Sequence, residues 1–144
     1  MSDVNDAELA KFSKIFAALD EAGRKKLVSL SVKKAFAKDA VICREGDPGT
    51  EFFVLTKGTV SVSADDFGNA KALATLGTGQ FFGEIALLAG QPRQATVIAL
   101  EPVEVVGFPR DAVVEVFRAA PQALTLLQQT SLVRTEETMK KMME

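Results

Sequence analysis

One stretch in the second half of the chain combines residue types that suit the binding of an anion. Residues 81–99 read FFGEIALLAGQPRQATVIA. Gly83 can adopt backbone angles that other residues avoid and lets a ligand approach the main chain closely. Residues 84–88 are expected to form about one helical turn, whose first amides favour negative charge. Arg93 provides a permanently charged fork of donors that matches phosphate oxygens. The stretch therefore predicts a phosphate site, in which Glu84 would accept hydrogen bonds from a sugar hydroxyl.

Composition restricts the functions that such a site can serve. The chain has 144 residues, a formal net charge of -2, one cysteine and no histidine. This length suits a single domain, and the charge does not predict a nucleic-acid surface. Without histidine, the usual zinc and transition-metal ligand sets and the Ser-His-Asp and Cys-His hydrolase arrangements cannot be assembled from the chain. We therefore expect binding without catalysis, and no cofactor or metal.

The sequence also predicts where the protein resides. No N-terminal stretch resembles a signal peptide, and no apolar run approaches the ~18 residues of a membrane helix. Cys43 lies among apolar residues and is expected to be a small buried hydrophobe. We therefore expect a cytoplasmic protein that contacts neither membrane nor nucleic acid.

The elements that must position the anion site are helical at both ends of the chain. Residues 6–19 place apolar side chains at helical spacing, and Asp20 is a candidate N-cap for a second helix to about residue 30. Helical spacing returns over residues 111–118 and in a long final helix that starts at Pro121.

Between these helices the apolar period changes to two. Short runs separated by turn residues read SVKKAFA, AVICRE, EFFVLT, GTVSVSA, AKALATL, QATVIAL and VEVVGF. Seven or eight antiparallel strands of this kind favour a sandwich, jelly roll or small barrel. We therefore predict an α+β fold that is mainly β, with N-terminal helices in 1–30, an antiparallel β-roll in 31–108 and two C-terminal helices in 109–144, all in one domain spanning 1–144.

Two stretches together resemble the signatures of the cyclic nucleotide-binding domain family. They are ICREGDPGTEFFVLTKG, residues 42–58, and FGEIALLAGQPRQATVIA, residues 82–99. The resemblance covers nearly the whole chain, because the helices and the β-roll follow the family's order. The residues at family spacing are Gly46, Asp47, Gly49, Gly58, Gly83, Glu84, Ala86, Arg93 and Ala95.

The resemblance implies a phosphate-binding cassette at residues 81–97. Arg93 would pair with the cyclic phosphate, assisted by amides near Ala86 and Ala95, while Glu84 and the Gly83 amide would hold the ribose 2′-hydroxyl. The turn glycines Gly46, Gly49 and Gly58 are expected to serve the fold alone. The residues implied to bind the nucleotide are Phe82, Gly83, Glu84, Ile85, Ala86, Arg93, Gln94 and Ala95.

Gln94 bears on the choice of purine. It stands where many relatives carry alanine, serine or threonine, and a hydroxyl at this position favours cyclic GMP. The missing hydroxyl favours cyclic AMP as the ligand, with cyclic GMP as the alternative. The base needs an apolar floor and a lid. Candidates for the floor are Val60, Val62 and Leu73, and candidates for the lid are Leu127, Val133 and Arg134 on the final helix, with plain packing or solvation as the alternative for each.

The resemblance also implies a sensor. Regulated relatives carry an output domain, and none is visible between Phe108 and Glu144, so we expect a stand-alone receptor that signals to a separate, unidentified effector protein. The methionines near the end of the chain suit a homodimer contact through the final helix, or equally a disordered tail. A scaffold module that keeps the fold without relying on ligand is the alternative function. An enzyme acting on cyclic nucleotides lacks a convergent set of catalytic groups.

Overall fold

Eight strands between two pairs of helices make up the part of the chain that the computed structural model describes, residues 9–11, 14–83, 93 and 95–143. Helices α1 (Lys14–Ala17) and α2 (Glu21–Leu30) come first, and residues 9–11 are also helical. Helices α3 (Arg110–Arg118) and α4 (Pro121–Met142) come last. The strands are β1 (Val32–Phe36), β2 (Val41–Cys43), β3 (Glu51–Lys57), β4 (Val60–Asp66), β5 (Asn69–Leu76), β6 (Phe81–Phe82), β7 (Thr96–Ala99) and β8 (Val103–Pro109).

The strands form two four-stranded sheets. Sheet A has the order β1-β8-β3-β6 and sheet B the order β2-β7-β4-β5, and their paired strands run antiparallel. This confirms the predicted α+β class, mainly β, with helices at both ends. Strand β6 was not among the predicted runs, because two residues are too few to show a period; it forms because Phe82 pairs with Phe53 of β3.

Local chemistry sets the element boundaries as the sequence indicated. Asp20 is the N-cap of α2, and its Oδ1 accepts a hydrogen bond of 2.7 Å from the Gly23 amide. Pro121 occupies the first turn of α4. The β4–β5 hairpin turns through Phe67 (φ 53°) and Gly68 (φ 89°), the positive pair that a type I′ turn requires. No helix in the described part of the chain is both long and apolar enough to cross a bilayer.

Two separate apolar cores lie on the two faces of sheet A. The first joins sheet A to the helices and includes Phe16, Phe52, Phe108 and Phe117. The second fills the space between the sheets and includes Phe53 and Phe82. Because side chains alternate along a strand, Phe52 and its neighbour Phe53 enter opposite cores. Strand β3 therefore separates the helices from the interior of the roll.

Helix α4 links these regions. Its first half is anchored in the helical core through Ala123 and Leu127, and the helix also approaches β5 of sheet B. The predicted lid helix thus reaches the sheet that carries the predicted base floor.

Candidate functional site

Arg93 is the only charged side chain that is buried among the described residues, with 8% of its surface exposed. Its backbone is fixed by the turn that precedes β3. The Arg93 amide donates to the Asp47 carbonyl and the Gly46 amide donates to the Arg93 carbonyl, both at 2.8 Å. Gly46 adopts φ 90°, which glycine tolerates and other residues rarely adopt. The two signature stretches are therefore joined by a pair of backbone hydrogen bonds that centre on Arg93.

The guanidinium of Arg93 is held against strand β3. Its Nη2 donates a 2.7 Å hydrogen bond to the Glu51 carbonyl oxygen, and its Cζ lies 5.6 Å from the centroid of the Phe53 ring, a cation–π distance. Its Nη1 is buried and has no hydrogen-bond partner among the described residues. Leaving a buried charged donor unpaired is costly, so this atom is suited to bind an anionic acceptor.

Gly83 provides the close approach that the arginine needs. The residue follows β6 with φ 94°, and a Cβ atom placed there would overlap Nη1 of Arg93 and lie 3.0 Å from the Glu51 carbonyl oxygen. Only glycine fits both the backbone angle and the space. The neighbouring Phe82 is buried and stacks on Phe53, with ring centroids 5.1 Å apart.

A second cation lies near the same aromatic ring. The Lys34 Nζ is 2.7 Å from Oε1 of Glu51 and 5.6 Å from the Phe53 centroid. Strand β8 separates β1 from β3, and the Glu51 side chain passes over it at Gly107, where a Cβ atom would be 2.5 Å from Oε2. Glu51 therefore binds Arg93 through its carbonyl and Lys34 through its carboxylate.

The predicted floor residues lie on sheet B. Val60 is fully buried in the core between the sheets, and Val62 packs against that core. Leu73 is half-buried and lies in a β-bulge, since Val62 pairs with Ala74 and the next residue of β4 pairs with Ala72. Bulges commonly redirect a side chain next to a site. Their contact with a base stays a prediction.

Other predicted site residues lie elsewhere or outside the described residues. Leu127 is 1% exposed and buried in the helical core, where it anchors α4. Ala95 is half-buried just before β7. The predicted turn at 84–88 lies outside the described residues, and so do Glu84, Ile85, Ala86 and Gln94. The same holds for the side chains of Val133 and Arg134.

The structure confirms that Cys43 is a small buried side chain, and it lies near the Arg93 guanidinium. Its side chain is buried in the core between the sheets. Burial raises the pKa of the Cys43 thiol above its ordinary value of 9.0, and the nearby Arg93 guanidinium partly offsets this effect. The thiol is therefore neutral at physiological pH and functions as a small apolar side chain.

The sequence analysis missed the contribution of Glu51, Lys34 and Phe53. The available signal was weak: a glutamate begins the run EFFVLT, and two lysines interrupt the run SVKKAFA. Period-two alternation places Glu51 and Phe53 on the same face of a strand. The partnership with Lys34 depends on sheet order, which no local pattern reveals.

Comparison with known proteins gives the family. A sequence model of the cyclic nucleotide-binding domain matches residues 33–120. The chain is 36% identical to a cAMP-dependent protein kinase regulatory subunit of Candida albicans over 89 residues, which are 62% of this chain and 18% of that protein. It is 30% identical to a cyclic nucleotide-gated potassium channel of Rhizobium etli over 131 residues, which are 91% of this chain and 36% of that protein.

The solved structures agree with the sequence comparison. A cAMP-bound PfPKA-R fragment superposes with a TM-score of 0.81 at 25% identity, covering 92% of this chain and 45% of that one. The chain thus spans less than half of each of these three relatives. The family match over residues 33–120, on a β-roll with a buried arginine beside Gly83, shows that this chain belongs to the cyclic nucleotide-binding domain family.

Proposed function

We propose that this chain is a cyclic nucleotide receptor domain that binds cyclic AMP and relays binding, through movement of α4, to an effector protein in the cytoplasm. The observation that carries the proposal is the buried Arg93, whose Nη1 lacks a hydrogen-bond partner among the described residues and lies beside Gly83. A cyclic monophosphate supplies one negative charge and the acceptor oxygens that such a donor needs.

The energetics favour a strong contribution from Arg93. A hydrogen bond to a charged partner contributes about 1.5–3 kcal/mol, equivalent to about one to two decades of affinity. The arginine is already ordered by its hydrogen bond to the Glu51 carbonyl and by the backbone pairing with residues 46 and 47, so little side-chain entropy remains to be lost. Glu84 and the Gly83 amide are proposed to hold the ribose, with the remaining cassette contacts from Phe82, Ile85, Ala86, Gln94 and Ala95.

Cyclic AMP is the proposed ligand because Gln94 stands where a residue with a hydroxyl group would favour cyclic GMP. Two of the relatives have cyclic AMP in their names. They are the cAMP-dependent kinase regulatory subunit of Candida albicans and the cAMP-bound PfPKA-R fragment. Cyclic GMP is the alternative, which a side-by-side titration decides.

The relay is proposed to act through α4. This helix is anchored in the helical core by Leu127 and also approaches β5, which carries the floor candidate Leu73. A ligand shifts a conformational equilibrium only by its differential affinity for the two states. Contacts between the base and α4, through Val133 or Arg134, would supply that difference. Slower amide hydrogen exchange in α4 with nucleotide bound would support this step.

The end of α4 presents a surface suited to a protein partner. Leu132, Met139 and Met143 are exposed and lie seven and four residues apart, so they share one helical stripe. Methionine-rich surfaces adapt to different partners. We propose the effector protein as the occupant. Light scattering with and without nucleotide tests a homodimer instead, because only self-association raises the mass of the purified chain.

The central experiment is calorimetric titration of cyclic AMP and cyclic GMP into the wild-type chain, Arg93→Ala and Arg93→Lys. Arg93→Ala should weaken binding by at least about tenfold, and Arg93→Lys should recover part of the loss because it restores the charge without the fork. Arg118→Ala removes an exposed arginine of α3 and is the matched control. Equal affinity of the wild type and Arg93→Ala would refute the phosphate assignment.

Further outcomes separate the alternatives. A wild-type chain that neither binds nor is thermally stabilised by either nucleotide would support the ligand-independent scaffold. Chromatography of the nucleotide after long incubation tests catalysis, and full recovery is expected because the chain is proposed to bind without reaction. Thermal unfolding of each variant shows whether the domain remains folded.

A further inference from the structure

We propose that Lys34 is a positioning residue for the anion site, because it holds the Glu51 carboxylate away from Arg93 and so keeps Nη1 free for phosphate. This inference rests on the proposed binding of a cyclic nucleotide and extends it to a residue on β1, the far edge of sheet A from β6.

The position of Glu51 creates the need for such a residue. Its carbonyl oxygen accepts the hydrogen bond from Nη2 of Arg93, so its carboxylate belongs to the residue in direct contact with the guanidinium. A carboxylate and an arginine fork form strong paired hydrogen bonds wherever they can meet. A Glu51 carboxylate bound to Nη1 would occupy the donor that the ligand requires.

The observed side chain avoids this outcome. Oε1 of Glu51 lies 2.7 Å from Lys34 Nζ, whereas Nη1 of Arg93 has no hydrogen-bond partner among the described residues. The two cations lie at equal distances of 5.6 Å from the Phe53 ring centroid, and Glu51 stands two residues before Phe53 on the same strand. The Glu51 carboxylate therefore pairs with Lys34, and the Glu51 carbonyl accepts the hydrogen bond from Arg93.

The sheet provides a path for this pairing. Strand β8 separates Lys34 from Glu51, and Gly107 is the point at which the carboxylate crosses it. A Cβ atom at Gly107 would be 2.5 Å from Oε2 and would force the side chain off this path. The absence of a side chain at residue 107 is thus part of the same arrangement.

A purely structural ion pair would behave differently. The side chains of Lys34 and Glu51 are 37% and 25% exposed, and partly exposed pairs contribute little to stability. If the pair served only the fold, loss of Lys34 would leave nucleotide affinity unchanged. If Lys34 touched the ligand itself, a second change at Glu51 would not repair its loss.

The experiment is a double-mutant cycle measured by calorimetry with cyclic AMP and cyclic GMP. Lys34→Met should weaken binding by about tenfold, and Lys34→Met combined with Glu51→Gln should restore affinity to within about threefold of wild type. Lys34→Arg should retain binding because it keeps the charge. The matched control is Lys33→Met, which removes the neighbouring lysine of β1 that pairs with Glu104 at 3.7 Å and should not change affinity.

A second measurement needs no ligand and separates this inference from the proposed function. The Nε–Hε resonance of Arg93 in ¹⁵N-arginine-labelled protein should shift in Lys34→Met and return in the double variant. Absence of nucleotide binding in the wild type would refute the proposed receptor, while the resonance would still report on the arginine. An unmoved resonance in Lys34→Met, or lost affinity that Glu51→Gln fails to restore, would overturn the role of Lys34.

Discussion

Replacement of Gly83 by alanine tests the geometry of the proposed anion site most directly. The new Cβ atom would overlap Nη1 of Arg93 and lie 3.0 Å from the Glu51 carbonyl oxygen. The backbone at φ 94° adds a cost of about 1–2 kcal/mol for any residue with a side chain. Relief of the overlap requires Nη1 to retreat by roughly 1 Å, which also strains the hydrogen bond between Nη2 and the Glu51 carbonyl and adds to the loss of stability.

That retreat is expected to be decisive for binding. N–H···O hydrogen bonds in proteins are about 2.7–3.2 Å long, so a donor displaced by roughly 1 Å no longer bonds to the phosphate. The loss of one charged hydrogen bond corresponds to about ten- to hundredfold in affinity. Gly83→Ala should therefore lower affinity by this factor.

Gly68→Ala is the matched control for the free-energy cost of a side chain at positive φ. Gly68 has φ 89°, nearly the same as Gly83, but an added Cβ meets nothing within 4 Å. Gly68→Ala should lose about 1–2 kcal/mol of the free energy of unfolding in urea, and Gly83→Ala should lose more because it also displaces the Arg93 guanidinium. Only Gly83→Ala should weaken nucleotide binding in calorimetric titration. Equal affinities for the two variants would refute the close approach of Gly83 and Arg93 as a requirement of the site.

Two further predictions concern stability. Phe67→Asn should raise the melting temperature by about 3 °C in calorimetry, because Phe67 is 99% exposed at φ 53° and asparagine tolerates this conformation at lower cost. Phe67→Ala, which removes the exposed ring but keeps the disfavoured conformation, should not reproduce that gain, and an equal gain would contradict the backbone explanation. Burial raises the pKa of the Cys43 thiol, so the folded state binds this proton more tightly than the unfolded state, and the resulting stability is complete below pH 9.0 and is lost as pH rises above it. Urea unfolding from pH 8 to pH 10 should show a steeper decline for the wild type than for Cys43→Ala, and parallel declines would contradict it.

Local patterns were sufficient to predict the elements and to single out Arg93 as a candidate phosphate-binding residue. The change from helical spacing to period two located the β-roll, and Asp20 and Pro121 marked helix starts that the structure confirms. Arg93 was singled out because a permanently charged fork suits phosphate and lies in one stretch with Gly83 and an expected helix N-terminus, and its burial is consistent with that reasoning. These features depend on residues that are near one another in sequence.

Sheet order was beyond the reach of such patterns, and it determines how the site is built. The turn at Gly46 and Asp47 bonds to the backbone of Arg93 from the other signature stretch. Lys34 reaches Glu51 across an intervening strand that comes late in the chain. Each of these contacts joins segments that are far apart in sequence. The alternation of apolar residues along a strand indicates only which residues share a face.

The alternation of β3 has a mechanical consequence for the proposed relay. Glu51 and Phe53 contact Arg93 on the inner face, and Phe52 between them is fully buried against Phe16, Phe81 and Phe108 on the helical face. Close-packed cores do not deform continuously, so a shift of β3 toward a bound anion must be accommodated by side chains on both faces. The helices and the anion site thus share one strand, which gives the proposed receptor a physical route from Arg93 to α4 besides any direct contact between the base and that helix.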